Sequence, residues 1–133
     1  MRVAVIGAGT MGSGIAQACA VAGHDVTLLD TSEGALGRAQ AGMKSSLERL
    51  VRRERLSESD AAAALARVSP QTEFLGLESA EVVIEAVFES SEVKREVWER
   101  LGKVVSDTAL LATNTSSLSV TEIAAYSGRE ARF

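Results

Sequence analysis

The chain holds few of the residues on which disulfide or nucleic-acid chemistry depends. Its 133 residues include one cysteine, Cys19, and one histidine, His24. A lone cysteine cannot close an internal disulfide. Cys19 falls on the apolar side of a predicted helix, so it reads as a small core residue in a reducing compartment, most simply the cytoplasm. Basic residues number 14 against 18 acidic ones, and the resulting formal charge of −4 argues against a nucleic-acid partner. No apolar run approaches the roughly twenty residues that span a bilayer, and the first residues read as a strand rather than a signal peptide. Repeats, low-complexity tracts and linkers are missing, and no metal site is predicted. At 46% hydrophobic residues the chain can bury a real core, and its length suits one α/β domain over 1–133 without room for a second.

What is present is concentrated at the start. Arg2 to Ile6 is a short apolar run of strand type that leads into Gly7-Ala8-Gly9-Thr10-Met11-Gly12. Helical sequence through Ile15 to Val21 follows and stops at Gly23, and Asp25 to Asp30 reads as a second strand that ends in an acid. A bare G-x-G-x-x-G is weak, but strand, glycines, helix, second strand and acid in register form the dinucleotide-binding pattern. Gly7 allows the tight turn, Gly9 lets the backbone approach a pyrophosphate, and Gly12 lets the helix pack closely on the sheet. The first-turn N–H groups then face the phosphates, where the helix dipole favours negative charge. Asp30 follows Gly12 by eighteen residues, close to the spacing expected of the acid that binds the adenosine ribose. It selects NAD over NADP, because a carboxylate about 5 Å from a 2′-phosphate costs a few kcal/mol and no arginine follows closely enough to offset it.

Further along, Leu36, Met43, Leu47, Leu50 and Val51 mark one face of a long helix over Ser32 to Glu54, capped by Thr31 or Ser32. Ser57, with Asp60 three residues on, starts another helix through Leu65, so that 32–66 is a helical excursion. Val68 to Glu73, Glu81 to Val87 and Thr108 to Thr113 read as strands three to five. Val93, Val97, Leu101, Val104 and Val105 mark an amphipathic helix, and Val120 to Ala125 a short last one, capped by Ser119 with Glu122. This alternation predicts a doubly wound parallel Rossmann sheet in the order 3-2-1-4-5. Ligands bind such sheets at the carboxyl ends of the strands, which selects Gly7 to Gly12, Asp30, Val87 to Glu89 and Asn114 to Ser117. His24 precedes strand two and so falls at the opposite edge, in a structural loop role.

Three segments, Gly7 to Gln17, Val83-Ile84-Glu85-Ala86-Val87-Phe88-Glu89 with Lys94, and Asn114-Thr115-Ser116-Ser117-Leu118, resemble in order and spacing the NAD-binding domain of 3-hydroxyacyl-CoA dehydrogenases, including 3-hydroxybutyryl-CoA dehydrogenases. The resemblance runs along essentially the whole chain, and its Asn-Thr-Ser-Ser segment discriminates more sharply than the glycines. It implies an oxidoreductase, NAD as cofactor, and a 3-hydroxyacyl-CoA substrate whose C3 gives up a hydride, with acetoacetyl-CoA on the product side. It also implies cofactor contacts at Gly7, Gly9, Thr10, Met11, Gly12, Asp30, Ala86, Val87, Glu89, Lys94 and Asn114. Glu89 and Lys94 then serve the nicotinamide half, and a surface ion pair near a helix start is the plain alternative for them. Ser116 matches the family's active-site serine, a polariser of the substrate oxygen rather than a nucleophile. Turn capping is the alternative for Ser116 and Asn114.

The long helix is basic in an acidic chain. Arg38, Lys44, Arg49, Arg52, Arg53 and Arg55 face only Glu48 and Glu54 over 38–55. Such a reversal suits an anionic partner such as the phosphates of CoA, with a solvated helix face as the other reading. Ser46 and Arg53, a heptad apart, match CoA-contacting positions in the family. The sequence ends at Phe133, where relatives continue into a sixth strand, a His-Phe-Phe-Asn-Pro segment with the catalytic histidine, its partner glutamate and a helical domain that forms the dimer. The expectation for the 133 residues is therefore NAD binding with almost no dehydrogenase activity, as a monomer or a weak oligomer paired through an open sheet edge. A non-enzymatic module that uses NAD as a regulatory ligand is the alternative from another class.

Overall fold

Five strands alternate with helices in a computed structural model that describes residues 1–87, 90–114 and 120–133. The strands are β1 (Arg2–Ile6), β2 (Asp25–Leu29), β3 (Val68–Gln71), β4 (Val82–Glu85) and β5 (Leu110–Thr113). All pairings are parallel, and the order is β3-β2-β1-β4-β5, as the alternation predicts. β1 is central and its last four residues are buried, the continuous apolar run of a strand covered on both faces. From β1 the chain moves outward through β2 and β3, then returns to the other side of β1 for β4 and β5. The switch point lies between β1 and its neighbours, where Ile6 stands opposite both Leu29 and Glu85.

Alternate residues of β1 feed two cores, because successive side chains of a strand leave on opposite faces. Val3 and Val5 join Val26, Leu28, Leu36, Met43 and Leu47 beneath α1 (Thr10–Val21), α2 (Glu33–Arg52) and α3 (Glu58–Ala66). Ala4 and Ile6 join Val83, Trp98, Leu101 and Ile123 beneath α4 (Ser91–Val104) and α5 (Val120–Ser127). Serine starts three of the helices. Ser32 Oγ accepts from Ala35 N at 3.1 Å, Ser57 Oγ from Asp60 N at 3.1 Å, and Ser90 Oγ from Val93 N at 3.5 Å. Glu54, with φ of 58°, separates α2 from α3 within the helical excursion. α4 and α5 approach closely at Gly102, where a Cβ would lie 2.0 Å from Ser127 O.

Four strands are shorter than the apolar runs suggest: β2 stops at Leu29 rather than Asp30, and three others are cut short for a local reason. β3 stops at Gln71 rather than Glu73 because Gln71 Nε2 donates to both Glu73 O and Leu75 O at 2.7 Å, turning the chain. β4 stops at Glu85 rather than Val87 because the Glu85 carboxylate takes the Val87 N–H at 2.9 Å. β5 starts at Leu110 rather than Thr108, whose N–H bonds to Ser106 Oγ in the preceding turn. The proposed cap at Ser119 lies outside the described residues.

Candidate functional site: the carboxyl edge of the sheet

The carboxyl ends of β1, β2, β4 and β5 bring the glycine turn, Asp30, Ala86 to Val87 and Asn114 to one edge. Gly7 leaves β1 with φ of +107°, a conformation L side chains rarely adopt, and a Cβ there would lie 2.6 Å from Ala86 O. A Cβ on Gly12 would lie 1.7 Å from Gly7 O, so the first turn of α1 sits directly against the end of β1. Gly9 differs from both, since a Cβ there would meet nothing within 4 Å. It is the N-cap of α1, without a capping side chain, and no acid stands in the first turn. Thr10 and Met11 open the helix with exposed side chains. A helix start without local anionic competition, beneath open space at Gly9, fits a pyrophosphate.

Asp30 is tied to that turn. Its Oδ2 accepts from Ala8 N and its Oδ1 from Ser32 N, both at 2.9 Å. The carboxylate is half-buried, placed where an adenosine ribose would meet it. The adjoining cleft, of about 540 Å³, runs between α1 and α2 past Gly9, Thr10, Gln17, Arg38, Met43 and Ser46. Ser46 borders this cleft and accepts a hydrogen bond from Gln17 Nε2 at 2.9 Å, a link across the two helices. Arg53 is exposed at the C-cap of α2 and does not line it.

On the other side of β1 lies a buried polar cluster. Lys94 in α4 is fully buried, its Nζ 2.6 Å from Glu85 Oε2 and 3.0 Å from Asn114 O. The reading of Lys94 as part of a surface ion pair is thereby corrected: the side chain runs beneath the strand ends, toward the last residue of β4. Glu85 is also fully buried, and its Oε1 accepts from Trp98 Nε1 at 3.1 Å and Thr113 Oγ1 at 2.5 Å. Glu85 carries no site role in the sequence reading, although a charged residue at the end of an otherwise apolar strand was the available signal. Asn114 enters through its backbone, with its side chain exposed and its N–H donating to Glu85 O at 2.8 Å. Glu89 and Ser116 lie outside the described residues.

His24 sits before β2, at the edge away from these residues, with its N–H bonded to Cys19 O. Cys19 packs against the core under α1, and burial pushes its thiol pKa up. Among the described residues no group of three or more His, Cys, Asp or Glu could hold a metal ion, and no helix is long and apolar enough to cross a membrane.

A parallel sheet with a glycine turn opening a helix at its switch point, and an acid ending the next strand, defines a dinucleotide-binding domain. The family described as 3-hydroxyacyl-CoA dehydrogenase, NAD binding domain, matches residues 2–133. The chain belongs to this family, and its cofactor is NAD. It is 40% identical over 129 residues to the 3-hydroxybutyryl-CoA dehydrogenase of Clostridioides difficile, covering 97% of this chain and 46% of that protein. It is 46% identical over 123 residues to the 3-hydroxyadipyl-CoA dehydrogenase of Escherichia coli K12, covering 92% of this chain and 26% of that one. The crystal structure of (S)-3-hydroxybutyryl-CoA dehydrogenase from Ralstonia eutropha matches with a TM-score of 0.95 at 42% identity, covering 99% of this chain and 47% of that chain. The chain thus spans half or less of the length of each of these relatives.

Proposed function

We propose that the chain is the NAD-binding part of an oxidoreductase that interconverts 3-hydroxyacyl-CoA and 3-ketoacyl-CoA. The observation that carries this reading is the meeting, at one sheet edge, of the glycine turn, the Asp30 carboxylate hydrogen-bonded to it, and the Ala86 to Val87 and Asn114 segments. NAD, when bound, supplies the acceptor for the hydride that leaves C3. The chain's own residues hold and orient the reactants. Gly9 and the start of α1 receive the pyrophosphate, and Asp30 accepts from the ribose hydroxyls. Ala86, Val87, Glu89, Lys94 and Asn114 serve the nicotinamide half. Ser116 donates to the substrate oxygen at C3, and Ser46 on the basic helix α2, with Arg53 at its C-cap, meets the CoA phosphates.

Proton removal from the C3 hydroxyl needs a base. The one histidine of these 133 residues, His24, stands at the wrong edge. A positioned base is typically worth about 10² to 10⁴ in rate, so the 133-residue chain alone should bind cofactor and turn over slowly by that factor. Turnover of 3-hydroxybutyryl-CoA within tenfold of a two-domain relative would contradict this.

The binding reading is tested by calorimetric titration with NADH and with NADPH, then with acetoacetyl-CoA added. The expected result is micromolar NADH binding, much weaker NADPH binding, and a further change on adding the CoA ester. NADH binding that the ester leaves untouched would favour a cofactor-sensing module, and a folded chain that ignores NADH would remove the proposal.

A further inference from the structure

The buried carboxylate at the end of β4 has more partners than strand pairing requires. Among the described residues, Glu85 accepts two hydrogen bonds on each oxygen, from Val87 N and Lys94 Nζ on Oε2 and from Trp98 Nε1 and Thr113 Oγ1 on Oε1. These partners come from the β4–α4 connection, from α4 and from the end of β5. Through Lys94, the cluster extends to Asn114 O. A fully buried ion pair is a costly way to join three elements, since well-packed apolar residues hold them at least as firmly. Apolar residues cannot, however, set a backbone N–H and a backbone C=O at fixed positions. Here the pair holds the Val87 N–H on one side and the Asn114 carbonyl on the other, each within two residues of a strand end at the ligand edge.

We propose that Glu85 is a positioning residue for the nicotinamide half of the cofactor: it locks Lys94 and the backbone of Val87 and Asn114 into the arrangement that receives that half. The adenosine half is held separately, by the glycine turn and Asp30 across β1 and β2. Loss of Glu85 therefore weakens one half of the dinucleotide and spares the other. The inference rests on the NAD reading above.

The test compares NADH with ADP, which carries the adenosine half alone, on the 133-residue chain. The variants are Glu85→Gln and the double variant Glu85→Gln/Lys94→Met, the second removing both charges of the Glu85–Lys94 pair. In both, the Kd for ADP should stay within about twofold of the unsubstituted chain while the Kd for NADH rises about tenfold or more. Equal losses for the two ligands, or no loss for either, overturn the inference. A measurement on the unsubstituted chain does not depend on whether the variants fold. Any ligand of the folded chain slows exchange by mass action, so NADH and ADP are compared at concentrations giving equal stabilisation; NADH should then slow exchange of the Val87 amide and the Trp98 indole N–H severalfold more than ADP does. Equal protection by both ligands also overturns it. An unsubstituted chain that binds neither ligand overturns the NAD reading first and this inference with it.

Discussion

Asp30 Oδ2 accepts a hydrogen bond from Ala8 N at 2.9 Å, which makes the acid at the end of β2 and the glycine turn at the end of β1 a single unit. Its other oxygen holds Ser32 N, and Ser32 in turn caps α2. The carboxylate is therefore oriented by the protein before a ligand arrives, which lowers the ordering cost of binding.

Asp30→Asn removes the charge and retains an oxygen acceptor. A carboxylate about 5 Å from a 2′-phosphate is repelled by about 3 kcal/mol at an effective dielectric near 20. The ratio of NADPH to NADH dissociation constants should accordingly shrink by about tenfold or more. Calorimetric titration of both cofactors checks this, and an unchanged ratio would remove Asp30 from cofactor choice.

Two glycine substitutions should move stability in opposite directions. Gly12→Ala drives a Cβ toward Gly7 O, with 1.7 Å available, and should cost about 1 to 3 kcal/mol or more along with NADH binding. Gly37→Ala lies on an exposed face of α2, where a Cβ meets nothing within 4 Å, and should gain about 0.5 to 1 kcal/mol. Thermal melts of the two variants beside the unsubstituted chain measure both signs.

Lys94→Met leaves the buried Glu85 carboxylate without the ammonium 2.6 Å away. Breaking a buried pair from one side typically costs about 3 to 5 kcal/mol. Adding Glu85→Gln removes the orphaned charge, so the double variant should be more stable than Lys94→Met alone. Urea midpoints for the four members of this cycle give the coupling, and strictly additive losses would mean that the pair does not act as a unit.

Burial raises the pKa of the Cys19 thiol and so disfavours the reactive thiolate. Alkylation by iodoacetamide at pH 8 should be slower in the folded chain than in urea. The thiol loses its proton more readily when unfolded. Its contribution to stability is therefore complete below the unfolded thiol's titration range and declines as pH rises through that range toward the folded value. Folded and unfolded chains reacting at equal rates would show that α1 does not shield Cys19.

The parallel sheet, its order and the cofactor turn were legible in the sequence because each follows from local rules. Short continuous apolar runs mark strands buried on both faces, serines with open amides mark helix starts, and Gly7, Gly12 and Asp30 carry torsional, steric and charge requirements that few other residues meet. Crossover handedness then turns the alternation into one topology. Tertiary structure decided the rest, because it depended on which distant elements meet. Glu85 stands opposite Thr113 only through the β4–β5 register, and Lys94 reaches it only because α4 packs on that face. Likewise, Gly102 is required only where Ser127 O comes within 2.0 Å of its absent Cβ, and Ser46 meets Gln17 only where α2 crosses α1. Such contacts join residues whose neighbours in sequence say nothing about each other, so no period or spacing announces them.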